Sequence, residues 1–252
     1  MSNPLVTIIT ATTGNPLLVN CLRSVKSQTY PNIQHLVMID GPERFGDAYK
    51  CIEDSQVLSS EKEGYRLNVI DLPYSIGKDR WNGHRIYGSG SYIADGDFLL
   101  FLDDDNTIDS DHVESCIRTI EKGNDWCFSF RKIVDKNHDF ICEDNCENLG
   151  KWASVLHPTD YFIDVNCYFL PKLLAIQISP LWYRKFREPG KPEIDRVLSN
   201  ALRQFAPKFD STYKYSVNYT TGNSALSVQT EFFLNGNAEM LRRYNGELPW
   251  KK

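Results

Sequence analysis

Leu5 to Ala11 is a mostly apolar, β-branched run that stops at Thr12-Thr-Gly-Asn-Pro16, the make-up of a buried strand feeding a turn. Asn15 suits an N-cap and Pro16 a first helical position. Leu17, Leu18, Cys21, Leu22 and Val25 then recur at helical spacing, so a helix is expected directly after the strand. His35 to Ile39, closed by Asp40-Gly-Pro42, reads as a second strand, and a charged connector leads to a third run at Leu67 to Leu72. Residues 80–95 read as a helix whose small residues Gly88, Ser89, Gly90, Ser91 and Ala94 suit close packing. Phe98 to Leu102 then reads as a strand apolar on both faces. Strands alternating with helices predict a parallel sheet covered on both sides, and the first 105 residues resemble a doubly wound nucleotide-binding half with its ligand at the strand carboxyl ends.

Beyond that point Val113, Cys116, Ile117 and Ile120 predict a helix over about 110–122, stopped by Gly123. Trp126, Phe128 and Phe130 alternate as a strand with one buried face. Ile194, Val197, Leu198, Ala201, Leu202 and Phe205 repeat as a helix face opened by Pro192, and a last helical pattern runs from Ser227 through Tyr244 into a polar tail that either frames an acceptor or acts as a lid.

The chain has 252 residues, 41% of them hydrophobic and 24% charged, so it reads as one large globular domain. Its 28 Lys and Arg against 33 Asp and Glu leave a net charge of -5, which argues against a nucleic-acid partner; an anionic ligand must be held locally. The longest apolar run, Phe98 to Leu102, is far short of the roughly 20 residues of a membrane span. No basic residue precedes Arg23, so the amino end does not read as a secretory signal. Seven scattered cysteines without C-x-x-C spacing read as reduced thiols, and a cytoplasmic protein is expected.

The most informative segment is Phe98-Leu-Leu-Phe-Leu-Asp-Asp-Asp-Asn106, a buried strand running straight into three carboxylates. Adjacent carboxylates at the mouth of an apolar strand take up protons unless a cation or strong donors compensate them, and hard oxygen donors favour Mg2+ or Mn2+. If the extended backbone persists, period 2 sends Asp103 and Asp105 to one side, where both serve one metal complex, and Asp104 to the other.

These features together resemble a known family. Leu5-Val-Thr-Ile-Ile-Thr-Ala-Thr12, Cys21-Leu-Arg-Ser-Val-Lys-Ser-Gln-Thr-Tyr-Pro-Asn32, Leu36-Val-Met-Ile-Asp-Gly41 and Ala94-Asp-Gly-Asp-Phe-Leu-Leu-Phe-Leu-Asp-Asp-Asp105 stand in the order and spacing of the family 2 glycosyltransferases of the GT-A fold. The resemblance implies an α/β GT-A fold, a Rossmann-like half with a mixed, mostly parallel sheet, residues 1–112 binding the nucleotide sugar, and an acceptor-binding half, residues 113–252, within one continuous domain. It also implies a nucleotide-diphospho-sugar donor, UDP-sugar favoured, a divalent ion on the D-x-D carboxylates, and inversion at the anomeric carbon. Carried over by position, Thr10, Thr12 and Asp40 line the base, Asp103 and Asp104 the ribose side, Asp105 the metal, and Arg80 stands near the nucleotide. Pro42-Glu-Arg44 departs from the usual Ser-Thr-Asp. The late His that often adds a metal ligand has no counterpart, because the last His is His157.

Attack on the sugar needs a general base for the acceptor hydroxyl. In the family it belongs to an acidic pair opening a helix about ninety residues past the metal motif, and Pro192-Glu-Ile-Asp-Arg196 stands there (195 - 105 = 90), making Asp195 the first candidate, with Glu193 beside it. Asp164, in Tyr161-Phe-Ile-Asp-Val-Asn-Cys167, is a second candidate base, and Trp152, Trp182 and Tyr183 are candidate stacking surfaces for an acceptor sugar. No G-x-x-x-x-G-K-[ST] or G-x-G-x-x-G run exists, and His112-Val-Glu114 lacks the P-C-x-x-C of a deaminase. The expectation is a glycosyltransferase moving one sugar to a hydroxyl acceptor; the alternative from another class is a catalytically silent nucleotide- or sugar-binding module on the same fold.

Overall fold

The computed structural model of the chain describes residues 3–78, 81–184, 194–222 and 228–251. Its strands are β1 (Val6–Thr12), β2 (Ile33–Ile39), β3 (Tyr65–Asp71), β4 (Phe98–Phe101), β5 (Thr107–Ile108), β6 (Trp126–Val134), β7 (Phe140–Glu143), β8 (Tyr168–Pro171) and β9 (Phe209–Thr220). The helices are α1 (Leu18–Lys26), α2 (Phe45–Ser55), α3 (His84–Ile93), α4 (His112–Glu121), α5 (Lys172–Ile178), α6 (Ile194–Phe205) and α7 (Thr230–Arg243). One mixed sheet carries the order β3-β2-β1-β4-β8-β6-β9-β5, with β7 on β6. β3, β2, β1 and β4 are mutually parallel, β8 reverses, and β6 and β9 pair in parallel again. Because β4 pairs with β8, the sheet is continuous from the amino-terminal half into the rest of the chain.

β1 and β2 are buried along their whole length, which explains why their sequences lack alternation. The small-residue face of α3 is used as its composition suggests. A Cβ on Gly88 would lie 3.0 Å from Tyr183 and 3.1 Å from Trp182, and one on Gly90 would lie 3.0 Å from Ile9, so α3 packs tightly both on the 179–183 turn and on the sheet.

Several local expectations are corrected. α1 begins at Leu18, not at Pro16, and the Asn15 side chain instead accepts the Leu17 N–H at 3.0 Å in the preceding turn. The charged connector contains α2, whose buried stripe of Ala48, Cys51, Ile52 and Ser55 is thin and diluted by the charged residues around it. β6 is buried on both faces: it is an inner strand between β8 and β9, with α4 and the 165–167 turn packed against it. The polar tail is not a lid, since Trp250 is buried and donates its indole N–H to Asn145 Oδ1 at 2.8 Å. No helix among the described residues is long and apolar enough to cross a membrane.

Candidate active site

β1 lies between β2 and β4, and the chain first builds outward from β1 through β2 to β3 before returning to β4 on the other side. Parallel sheets bind ligands at the carboxyl ends of strands flanking such a reversal. The register continues Ile9↔Phe101 toward a Thr12 level with Asp104, while Thr12 is paired with Ile39, one residue before Asp40. Thr12 Oγ1 donates to Asp104 Oδ2 at 2.6 Å, the Thr13 N–H adds a contact at 3.4 Å, and the Gly14 N–H in turn donates to Thr12 Oγ1 at 2.9 Å. Burial pushes the Asp104 carboxyl up to about 6, against the pull of the Thr12 hydroxyl.

The backbone does not stay extended past Leu102. Residues 104–105 form a turn in which the Asn106 N–H donates to the Asp103 carbonyl at 3.1 Å, so the strand alternation expected for Asp103 and Asp105 ends before it reaches them. Asp103 Oδ1 accepts from the Tyr87 hydroxyl at 2.5 Å and Oδ2 from Asn166 Nδ2 at 2.9 Å. Burial raises this carboxyl above the usual range; the Tyr87 hydroxyl opposes the shift and the charge of Asp164 adds to it. Asp105 is half-buried on the turn, and its carbonyl accepts from Thr220 Oγ1 at 2.5 Å, so β9 pins the turn from the far side.

Asp40 is buried and fully engaged with a loop. Its Oδ1 accepts from the Ile76 N–H at 2.7 Å, and its Oδ2 from the Gly77 N–H and Ser75 Oγ, both at 3.0 Å. A Cβ on Gly77 would come within 2.5 Å of Asp40 Oδ2 and 2.4 Å of the Asn82 carbonyl, which fixes glycine there. Thr10 is fully buried, with its hydroxyl 3.0 Å from His35 Nε2 and 3.8 Å from Cys21 Sγ, so its side chain is engaged with core partners, whereas that of Thr12 meets Asp104. Arg80 and Glu193 lie outside the described residues.

On the other side of the crevice Arg131 is buried with three carboxylates around it. Its Nε meets Asp144 at 2.8 Å, Nη2 meets Glu147 at 2.7 Å and Nη1 meets Asp164 at 2.5 Å, while the guanidinium carbon stands 4.3 Å from the Tyr219 ring centroid. Glu147 is shared with Arg196, at 2.9 Å, and Arg196 also pairs with Asp160 at 3.0 Å. A base needs an unclaimed lone pair, and Asp164 gives one oxygen to Arg131 and the other to the N–H and side-chain amide of Asn166. Asp195 occupies the first turn of α6, as its sequence pattern requires. Burial pushes its carboxyl up to about 7 and the charge of Asp164 adds to the shift, which suits proton exchange near neutral pH. Trp182 is fully buried against Phe101, Tyr87 and His84, at centroid distances of 5.2, 5.6 and 5.7 Å, so it is core and not a stacking surface. Trp152 is half-buried beside Trp250, at 5.6 Å, and Tyr183 is half exposed.

The family model described as Glycosyl transferase family 2 matches residues 6–141, more than half of the chain. The chain belongs to glycosyl transferase family 2. Among solved structures it is similar to TarS of S. aureus, residues 1–349 in complex with UDP-GlcNAc, with a TM-score of 0.61 and 17% identity over 92% of this chain and 64% of that one. It is also similar to the mannosyltransferase PcManGT of Pyrobaculum calidifontis in complex with GDP-Man and Mn2+, with a TM-score of 0.56 and 12% identity over 99% of this chain and 67% of that one. Against the longer TarS chain, at a TM-score of 0.60 and 16% identity, the likeness covers 86% of this chain and 37% of that one. At these identities the likeness shows the fold, which is the GT-A fold of glycosyltransferases. No curated protein matches the chain in sequence.

As a family 2 glycosyltransferase the protein raises the question of a divalent ion. Among the described residues no three His, Cys, Asp or Glu side chains converge as a ready cage. The donors present are hard carboxylate oxygens on and beside the 104–105 turn, and burial raises Asp103 and Asp104, a strain that a cation relieves. This set fits Mg2+ or Mn2+ in an open site completed by substrate oxygens. Both Asp103 oxygens already accept hydrogen bonds, from the Tyr87 hydroxyl and the Asn166 amide. Sequence reasoning missed Tyr87, Arg131 and Asn166. Arg131 was hidden in a strand pattern, and the Asp164-Val-Asn166 spacing was the one visible trace of the network.

Proposed function

We propose that this glycosyltransferase moves a single sugar from a nucleotide-diphospho-sugar, a UDP-sugar in the favoured case, to a hydroxyl acceptor with inversion. The observation that carries the reading is the buried bridge from Asp103 through Asn166 to Asp164, which brings the acidic turn of the nucleotide half into one network with the carboxylate that neighbours Asp195. Residues 1–112 hold the donor and residues 113–252 the acceptor and base. Thr12 and Asp104 take the nucleoside side at the β1/β4 reversal, joined by Asp40 once its loop contacts yield and by Arg80; Thr10 supports them from the core. Asp105, with Asp103 behind it, is the residue that would hold Mn2+ or Mg2+. When bound, that ion supplies neutralising charge for the diphosphate leaving group.

In the transfer step the acceptor oxygen bonds to the anomeric carbon from the face opposite the leaving group, the bond to the diphosphate breaks, and the hydroxyl proton passes to Asp195. Its carboxyl, pushed up to about 7, is basic enough to take that proton and largely ionised above neutral pH. Glu193 stands beside it in sequence as a secondary acid. Asp164 has its oxygens engaged by Arg131 and Asn166 and is assigned no proton transfer in this reading. A nucleotide-sugar donor and a divalent ion are further supported by the complexes of TarS with UDP-GlcNAc and with UDP, and of PcManGT with GDP-Man and Mn2+. Action in the cytoplasm, expected from the sequence, is part of this reading.

A thermal-shift panel of UDP-, GDP- and TDP-sugars with and without Mn2+ tests it, because a ligand that binds only the folded state raises the melting temperature by mass action. One nucleotide class should stabilise the protein in an Mn2+-dependent way and be consumed. Stabilisation without any nucleotide release would favour a silent binding module, and no stabilisation by any class would contradict the donor assignment.

A further inference from the structure

Asn166 is buried in a short helical turn, Val165–Cys167, that Asp164 caps by accepting the Asn166 N–H at 2.9 Å. Its side-chain amide reaches both halves of the site. Nδ2 donates to Asp103 Oδ2 at 2.9 Å and to Asp164 Oδ1 at 2.8 Å, and Oδ1 accepts the backbone N–H of Asp103 at 2.6 Å. The amide orientation follows from these partners, since the Asp103 N–H needs an acceptor and two carboxylates need donors. Asp164 is itself immobilised by Arg131 and by the Asn148 side-chain Oδ1, which accepts the Asp164 N–H at 2.9 Å. Asn148 is anchored in turn, donating its N–H to Asp144 and its amide to the Ser129 carbonyl. The acidic turn after β4 is therefore tied to a rigid, charge-balanced block through one amide side chain, which offers no unused donor to a substrate.

We infer that Asn166 is a positioning residue that sets the register between the donor half and the acceptor half of the site, acting through Asp103 on one side and Asp164 on the other. This rests on the transfer reading above but not on which carboxylate is the base. Direct displacement demands that attacking oxygen, anomeric carbon and leaving diphosphate stand in line, and a displacement of about 1 Å costs on the order of 10^2 in rate. A residue that fixes register controls turnover while leaving each half able to bind its own ligand.

The test substitutes Asn166→Leu, which keeps volume and removes the amide, with Asn166→Ser as the variant that admits water should the first not fold. Three quantities are read on folded protein: the Kd of UDP in Mn2+, the rate of nucleotide release from UDP-N-acetylglucosamine, and backbone amide exchange without ligand. In nucleotide release water is the acceptor: its oxygen bonds to the anomeric carbon as the bond to diphosphate breaks and a proton passes to the base. The inference predicts a UDP Kd within about 3-fold of wild type, nucleotide release slower by roughly 10^2, and exchange at the Asp103 N–H faster by at least about 10-fold with Leu100 unchanged. Release within about 3-fold of wild type per folded molecule would reduce Asn166 to a structural part and overturn the inference. So would a loss of UDP affinity that accounts for the whole effect, or unchanged exchange at Asp103. Should Asp195→Asn turn over normally, the base assignment fails while the Asn166 result still stands, because UDP affinity and amide exchange do not involve the base and the release rate is compared with wild type whichever group accepts the proton.

Discussion

Thr12 and Asp104 meet at 2.6 Å across the reversal between β1 and β4, hydroxyl to carboxylate, and this bond orients the middle carboxylate of the Asp103-Asp-Asp105 run toward the end of β1. Thr12→Val keeps the shape and deletes the donor. It should weaken UDP binding in Mn2+ by about 10- to 100-fold, the order of one hydrogen bond to a charged group. Isothermal titration calorimetry reads this directly, and unchanged affinity would remove Asp104 from the nucleotide site.

Asp105→Ala should abolish the Mn2+-dependent part of donor binding in a folded protein, because Asp105 stands half-buried on the 104–105 turn and is the carboxylate proposed to hold the ion. Titrating UDP with Mn2+ and then with excess chelator separates the metal-dependent from the metal-independent fraction. Equal affinity in the variant and the wild type under Mn2+ would place the ion elsewhere.

Arg131 is enclosed by three buried carboxylates, and its removal leaves them without their shared counter-ion. Arg131→Met should destabilise the protein by about 3–5 kcal/mol, measured by urea unfolding, a far larger loss than any surface pair such as Lys50–Asp54 can show.

Asp195 also shapes the pH dependence of stability. It faces Asp164, Glu147, Arg196 and the Tyr168 hydroxyl, and burial holds its carboxyl near 7 against an ordinary value of 3.8. Between those two values the folded state binds the proton that the unfolded chain releases. Its favourable contribution is therefore full below about pH 4 and is lost as pH rises through about 7. Asp195→Asn should stabilise the metal-free protein at pH 8, by on the order of 2 kcal/mol, while having little effect at pH 4. Chemical denaturation at the two pH values checks the sign, and equal destabilisation at both would contradict it.

The nucleotide half was readable because buried parallel strands are continuous apolar runs: β1, β2 and β4 appear where the pattern places them, and each ends at or within two residues of a proposed site residue, Thr12, Asp40 or Asp103. The side-chain directions after β4 were not readable. Period 2 holds only while the backbone stays extended, and the turn at 104–105 interrupts it. α2 escaped because its buried stripe is four residues wide among charges. Arg131 lies on a strand whose apolar alternation occupies Trp126, Phe128 and Phe130, and its partners at 144, 147 and 164 are brought to it only by the folded chain. That Asp195 stands in the first turn of α6 was readable from helix phase; that Asp164 is an engaged counter-ion required the Arg131 contact.

The central claim is that Asp195 takes the proton from the attacking hydroxyl, and the most direct measurement is the pH profile of nucleotide-sugar turnover for wild type, Asp195→Asn and Asp164→Asn in saturating Mn2+ and donor. The wild type should lose rate below about pH 7 as Asp195 is protonated. Asp195→Asn should be slower by about 10^2 to 10^4, lack that acid limb, and bind UDP as the wild type does, with Glu193→Gln changing the rate far less. Near-full turnover with the acid limb intact in Asp195→Asn, and loss of both in Asp164→Asn, would contradict the account and move the base to the segment before β8.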